Sequence, residues 1–138
     1  MNRPTKRVLD TSVLCHFWRG FQRQTLDTDT VREKANELIA RENTRWIVSP
    51  VRIEFLVGAR SSAELQLYED FLAAFDVIDG GKIPPQDWQE AERLAKRIGA
   101  HRQRKLGDCL IEAIANRLHC EVVTKDPDFQ RRYPPQID

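Results

Sequence analysis

Short apolar runs alternate with helical stretches along the chain, and this alternation restricts the fold more than any other feature. Val8-Leu9, Trp46-Ile47-Val48-Ser49, Phe75-Asp76-Val77-Ile78-Asp79 and Glu121-Val122-Val123-Thr124 read as strands. The segments between them carry helical signals. Val13 to Trp18 reads as a short apolar helix closed by Gly20. Thr30-Val31-Arg32-Glu33 has capping-box spacing, and Val31, Ala35, Leu38 and Ile39 mark one helical face. Ser49-Pro50 reads as a helix start, with Ser as N-cap and Pro at the first helical position, for a helix over Val51 to Ala59. Ser61-Ser62-Ala63-Glu64 is a second capping box, followed by the stripe Leu65, Tyr68, Leu72 and Phe75. Gly80-Gly81 turns the chain, and Pro84-Pro85 opens a helix with Trp88, Ala91, Leu94, Ala95 and Ile98 on one face. Cys109 to Leu118 is apolar nearly all round, which predicts burial on more than one side. Strands alternating with helices predict an α/β fold with a mostly parallel central sheet and helices on both faces.

The 138 residues suit a single domain over 1–138, long enough to bury a core. The formal net charge is only +1, so affinity for nucleic acid has to come from a local patch. One segment qualifies. From Arg93 through Lys105 the chain carries six Lys or Arg, one His and no acid. It reads either as the solvated end of a helix, where cations suit the dipole, or as a phosphate-contacting surface, with Arg102, Arg104 and Lys105 as candidates. No apolar run is long enough to span a membrane, and the early acid at Asp10 interrupts any signal-peptide core. Cys15, Cys109 and Cys120 are odd in number and lack ligand-pair spacing. They read as small apolar fillers, and a reducing cytoplasm is the expected location.

Several acids stand where strands end or helices begin. Asp10 closes the first strand, Glu54 lies about one turn into the helix after the second, and Asp108 precedes the buried helix. Asp126 and Asp128 follow the fourth strand, beside the Thr124 hydroxyl. Each has a simpler reading: a helix cap for Asp10 or Asp108, a dipole-favoured surface acid for Glu54. Glu112 shares the face of Asp108 and either joins it or pairs with a basic neighbour. In a parallel sheet, however, Asp10, Glu54, Asp108 and Asp126 all arrive at one edge, the carboxyl ends of the strands, where ligands bind. Two carboxylates about 5 Å apart repel by roughly 3 kcal/mol at an effective dielectric near 20. Protonation or a cation makes such a cluster tolerable. Oxygen-only donors favour Mg²⁺ or Mn²⁺, whose bound waters are reactive, and with a basic segment beside them the expected target is a phosphodiester.

These pieces resemble the PIN-domain family, and more narrowly the VapC-type toxins of toxin–antitoxin pairs. The matching stretches are Leu9-Asp10-Thr11-Ser12-Val13-Leu14, Val51 to Ala59 around Glu54, Gly107-Asp108-Cys109-Leu110-Ile111, and Val123-Thr124-Lys125-Asp126-Pro127-Asp128-Phe129. The resemblance implies a three-layer α/β/α sandwich and a Mg²⁺- or Mn²⁺-dependent endoribonuclease acting on RNA. It also implies a homodimer and a cognate antitoxin that blocks the site. Asp10, Glu54, Asp108 and Asp126 match the family's acidic quartet, for catalysis and metal binding. Ser12 and Thr124 match supporting hydroxyl positions, and Asp128 matches a further acid of the last motif. Glu112 stands where the family commonly has a small residue. A catalytically inactive PIN fold is the alternative. A metal-adhesion binding module is another, although Leu14 removes the last hydroxyl of its Asp-x-Ser-x-Ser pattern. A phosphoacceptor domain would need an acid beside Asp10, and an aspartyl-phosphate hydrolase an Asp where Ser12 stands.

Overall fold

Residues 6–21, 26–97 and 105–125 are described by a computed structural model. Among them, β1 (Lys6–Leu9), β2 (Trp46–Ile47), β3 (Asp76–Val77) and β4 (Cys120–Val123) form one sheet. The helices are α1 (Thr11–Arg19), α2 (Thr28–Glu42), α3 (Ser49–Val57), α4 (Ser62–Leu72), α5 (Pro85–Ala95) and α6 (Leu106–Arg117). The sheet order is β3-β2-β1-β4 and every pairing is parallel. Val8 stands opposite Trp46, Leu9 opposite Val123, and Ile47 opposite Val77. The chain moves outward from β1 to β3, then returns to lay β4 against the other side of β1. α5 and α6 pack against each other, and α6 also meets β4 and α3. The direction of travel reverses between β1 and β4, and a switch point of this kind opens a crevice at the carboxyl ends of the strands.

The main core joins β1 to the helices around it. Val8, Leu9, Val13, Leu14, Leu38, Ile47, Val51 and Phe71 are all buried. Trp18, Phe55, Tyr68 and Phe71 form an aromatic knot, with Phe55 and Tyr68 stacked at 4.5 Å and Trp18 edge-on to Tyr68 at 4.7 Å. In α6, seven consecutive residues from Cys109 to Ala115 are buried. Ile111, Ile114 and Ala115 enter the main core, while Cys109, Leu110 and Ala113 pack with Ala91 and Leu94 of α5. A helix pressed between two apolar surfaces needs apolar residues on both sides, as its composition predicts.

Helix starts differ from expectation in instructive ways. The Thr30–Glu33 capping box is not used: α2 begins earlier, and the Asp27 carboxylate caps it by accepting the Thr30 N–H at 2.8 Å. Ser61 does cap α4, accepting from Glu64 N–H at 3.1 Å. Ser49 is not the N-cap of α3; Val48 holds that position. Asp79, just beyond β3, supplies the missing acceptor instead: its carboxylate takes the Ser49 N–H at 2.8 Å and the Ser49 hydroxyl. On α5 the face is rotated from the expected one. Trp88 is 49% exposed and Ala95 is exposed, whereas Asp87 is 1% exposed and accepts Arg117 Nε at 2.9 Å. A guanidinium from α6 makes burial of an acid tolerable, and the wide indole goes to solvent. Leu65, expected on the α4 stripe, is also exposed.

Asp79→Ala should lower stability by about 1–2 kcal/mol, the usual cost of a lost cap and an orphaned N–H. Ser49→Ala should cost less, because the main-chain donor keeps its acceptor. Urea unfolding of both variants checks the order.

Candidate functional site

Asp10 follows β1 and occupies the N-cap position of α1, yet its side chain makes no capping bond. The carboxylate is instead 4% exposed and bound across the crevice. Its Oδ2 accepts the Ser12 hydroxyl at 2.8 Å and the Thr124 hydroxyl at 2.8 Å. Each hydroxyl has one proton to donate, and both go to the same oxygen. The 3.1 Å approach of Ser12 Oγ to Thr124 Oγ1 follows from that shared acceptor. Ser12 Oγ in turn accepts the Lys125 N–H at 2.9 Å, and the Asp10 N–H donates to the Val123 carbonyl at 2.9 Å. The ends of β1 and β4 are thereby tied through one carboxylate. Both hydroxyls land on Oδ2, and no described residue donates to Oδ1.

Glu54 comes from α3, which leaves the end of β2. Its Oε1 accepts the Thr11 hydroxyl at 2.5 Å. On its other side the carboxyl lies against Gly107 in the first turn of α6. A Cβ on Gly107 would overlap Glu54 Oε2, with Oε1 only 3.1 Å away. Glycine is what permits this approach of carboxylate to backbone. Burial pushes the Glu54 carboxyl above its usual value. The Thr11 hydrogen bond and the Lys105 charge oppose that shift, while the charges of Asp10 and Asp108 add to it. The charges of two other expected acids are therefore felt at Glu54.

Asp108 lies in the first turn of α6, whose N-cap position belongs to Lys105, so it is not the cap. Glu112, one turn further along, is buried. Lys105 is exposed at the head of the helix. Asp126, Asp128, Arg102 and Arg104 lie outside the described residues, as does Ile98 of the expected α5 stripe. Among the described residues, no three Asp, Glu, His or Cys side chains form a ligand set for an ion by themselves. What is present fits a hard divalent cation: oxygen donors, one of them a buried carboxylate whose Oδ1 has no described donor. Thr11 and Gly107 were not singled out from the sequence. Thr11 stands beside Asp10, and Gly107 interrupts the start of a buried helix, a position where a glycine often marks a close approach.

The PIN domain family matches residues 7–133, and the chain belongs to that family. PIN domains are typically nucleases, which act on nucleic acids and generally use divalent metal ions. No curated protein matches the chain, and no solved structure matches it. Among the described residues, no helix is long and apolar enough to cross a membrane.

The raised Glu54 value has a testable sign. The native state holds this proton more tightly than the unfolded chain. Stability therefore falls as pH rises from the ordinary glutamate value to the raised one, and stays lower above it. Glu54→Gln keeps an acceptor for Thr11 but no charge. In chelator it should melt above the unmodified protein at neutral pH, and the gap should close as pH falls below both values. A neutral-pH melting point below that of the unmodified protein would contradict the assignment.

Proposed function

We propose that this chain is a Mg²⁺- or Mn²⁺-dependent endoribonuclease and the toxin of a type II toxin–antitoxin pair. The observation that carries the nuclease reading is the carboxylate cluster at the switch point. Asp10 is buried and tied to β4, and Glu54 is pinned between Thr11 and α6 with the charges of Asp10 and Asp108 acting on it. Asp126, two residues beyond Thr124, is the fourth member of the proposed set. In this reading Asp10, Glu54, Asp108 and Asp126 would hold the ion, Ser12 and Thr124 orient the Asp10 carboxylate, and Asp128 supports the rim. A bound divalent ion supplies an activated water and neutralises charge on the phosphate. Lys105, near enough to act on Glu54, would meet the phosphate backbone together with Arg102 and Arg104.

Purified protein with single-stranded RNA should cut internally with Mg²⁺ or Mn²⁺ and not in chelator. Asp10→Asn, Glu54→Gln, Asp108→Asn and Asp126→Asn should each reduce the rate by about two orders of magnitude or more, in line with loss of a group acting only in the transition state. Replacing Arg102, Arg104 and Lys105 by Ala should flatten the salt dependence of binding, because counterion release scales with phosphates neutralised. Near-normal rates in two of the four acid variants would refute the site, and binding without cleavage would favour an inactive PIN module.

The toxin, antitoxin and homodimer readings rest on the family resemblance, and one surface feature supports the last. Ile53 and Val57, one turn apart on α3, are 61% and 77% exposed, an apolar pair suited to a second copy. Expression alone should arrest growth, and a small protein encoded beside the gene should relieve the arrest. Sedimentation should show a dimer that Val57→Asp dissociates. Harmless expression of a protein active in vitro would indicate a housekeeping nuclease.

A further inference from the structure

A cavity of about 360 Å³ opens beside Glu54, between α1, α3 and α4. Glu54 forms part of its wall, so the cavity begins where the carboxylate cluster ends. Trp18, Phe55 and Tyr68 back it, but their rings are packed against one another at 4.5–5.9 Å and are only 4%, 2% and 9% exposed, so half-buried Leu26 and Leu67 supply the apolar surface open to the cavity. At the far end the walls become polar. Glu64 accepts the Arg60 N–H at 3.0 Å and also the Tyr68 hydroxyl. Arg19 and Arg60 stand at the cavity with exposed side chains, and no described carboxylate lies within ion-pair distance of either guanidinium. Two guanidinium groups without a described carboxylate partner, beside an apolar wall and with a carboxylate and a phenol at one end, match the parts of one nucleotide. The groups at the far end offer both acceptors and donors to a base edge, and the arginines offer donors to phosphate. The volume lies at the small end of ligand cavities, which run about 300–1,000 Å³, room for one unit of a chain.

Resting on the endoribonuclease reading above, we propose that this cavity is a specificity subsite that takes one nucleotide of single-stranded RNA next to the scissile phosphodiester, its base against Leu26 and Leu67 and its phosphate on Arg19 and Arg60. Single-stranded RNA is the form whose bases can leave a stack and enter such a cavity. The bond cut is then chosen partly by which base fits between Glu54 and Glu64.

Gly58 provides the means to close the cavity. It lines the wall, and a Cβ there would meet only Phe55 O at 3.4 Å and Tyr68 Cε2 at 3.9 Å, ordinary contacts. Gly58→Leu would extend a side chain into the space without disturbing the acids. Binding of a fluorescent RNA hexamer is measured in chelator, and cleavage of a random-sequence RNA pool is measured with Mn²⁺ by sequencing the product ends. Gly58→Leu should weaken hexamer binding about tenfold and flatten the base preference beside the cut. Arg60→Ala should weaken binding several-fold. Arg60 is exposed, so its variant carries the test should Gly58→Leu fail to fold, which a circular-dichroism melt would reveal. Binding that responds in this way without any cleavage would leave the subsite standing and remove the nuclease reading. Cleavage with an unchanged base preference and unchanged hexamer affinity in both variants would overturn the subsite and leave the nuclease. Loss of binding to a protein partner, with RNA binding untouched, would also overturn it by assigning the cavity to a peptide segment.

Discussion

A carboxylate at the end of a central strand needs hydrogen-bond donors where almost no water reaches it, and the site depends on how Asp10 finds them. Two hydroxyls from different parts of the chain converge on its Oδ2, one from α1 and one from beyond β4. The bonds do two things together. They offset the desolvation of the charge, and they fix where the last strand meets the first. Removing either hydroxyl would leave a buried charge with less support, which costs more than an exposed hydrogen bond is worth. The crevice between β1 and β4 is therefore part of the fold's own stability and also the place where chemistry can occur.

Three other buried acids make the contrast clear. Asp79 caps α3, Asp70 accepts from Thr28 and Gln66, and Asp87 binds Arg117. Each has its oxygens engaged by groups that hold two elements together. Asp10 has one oxygen engaged in that way and the other without a described donor, and Glu54 shares a region with two further negative charges. Burial alone does not separate a structural acid from a functional one in this molecule. The number of donors per oxygen, and the sign of the neighbouring charges, does.

Reading the chain without coordinates reached the acids because their signal is local. Asp10 ends an apolar run, and Glu54 lies one turn into a helix that leaves a strand. The parallel sheet was legible for the same reason, since strand and helix periods alternate. The contacts that hold those acids were not legible. Thr11 meets Glu54 and Gly107 meets Glu54 only because α1, α3 and α6 converge in space. Asp79 caps a helix thirty positions earlier in the chain, so Ser49 looked like a sufficient cap by itself. On α5, hydrophobicity alone put Trp88 inward, and the partner that draws Asp87 inward sits on another helix. Local pattern finds the charged groups, and tertiary pairing decides what each of them does.

The packing of Glu54 against Gly107 has a consequence for how such a chain can vary. A Cβ at 107 and the Glu54 carboxylate cannot occupy the same space, so a side chain there would turn the flexible end of Glu54 away from the place where Thr11 holds it. The fold itself would absorb that change, because only the tip of one side chain has to move. The bare backbone at 107 thus serves as an address for the acid more than as a requirement of the helix.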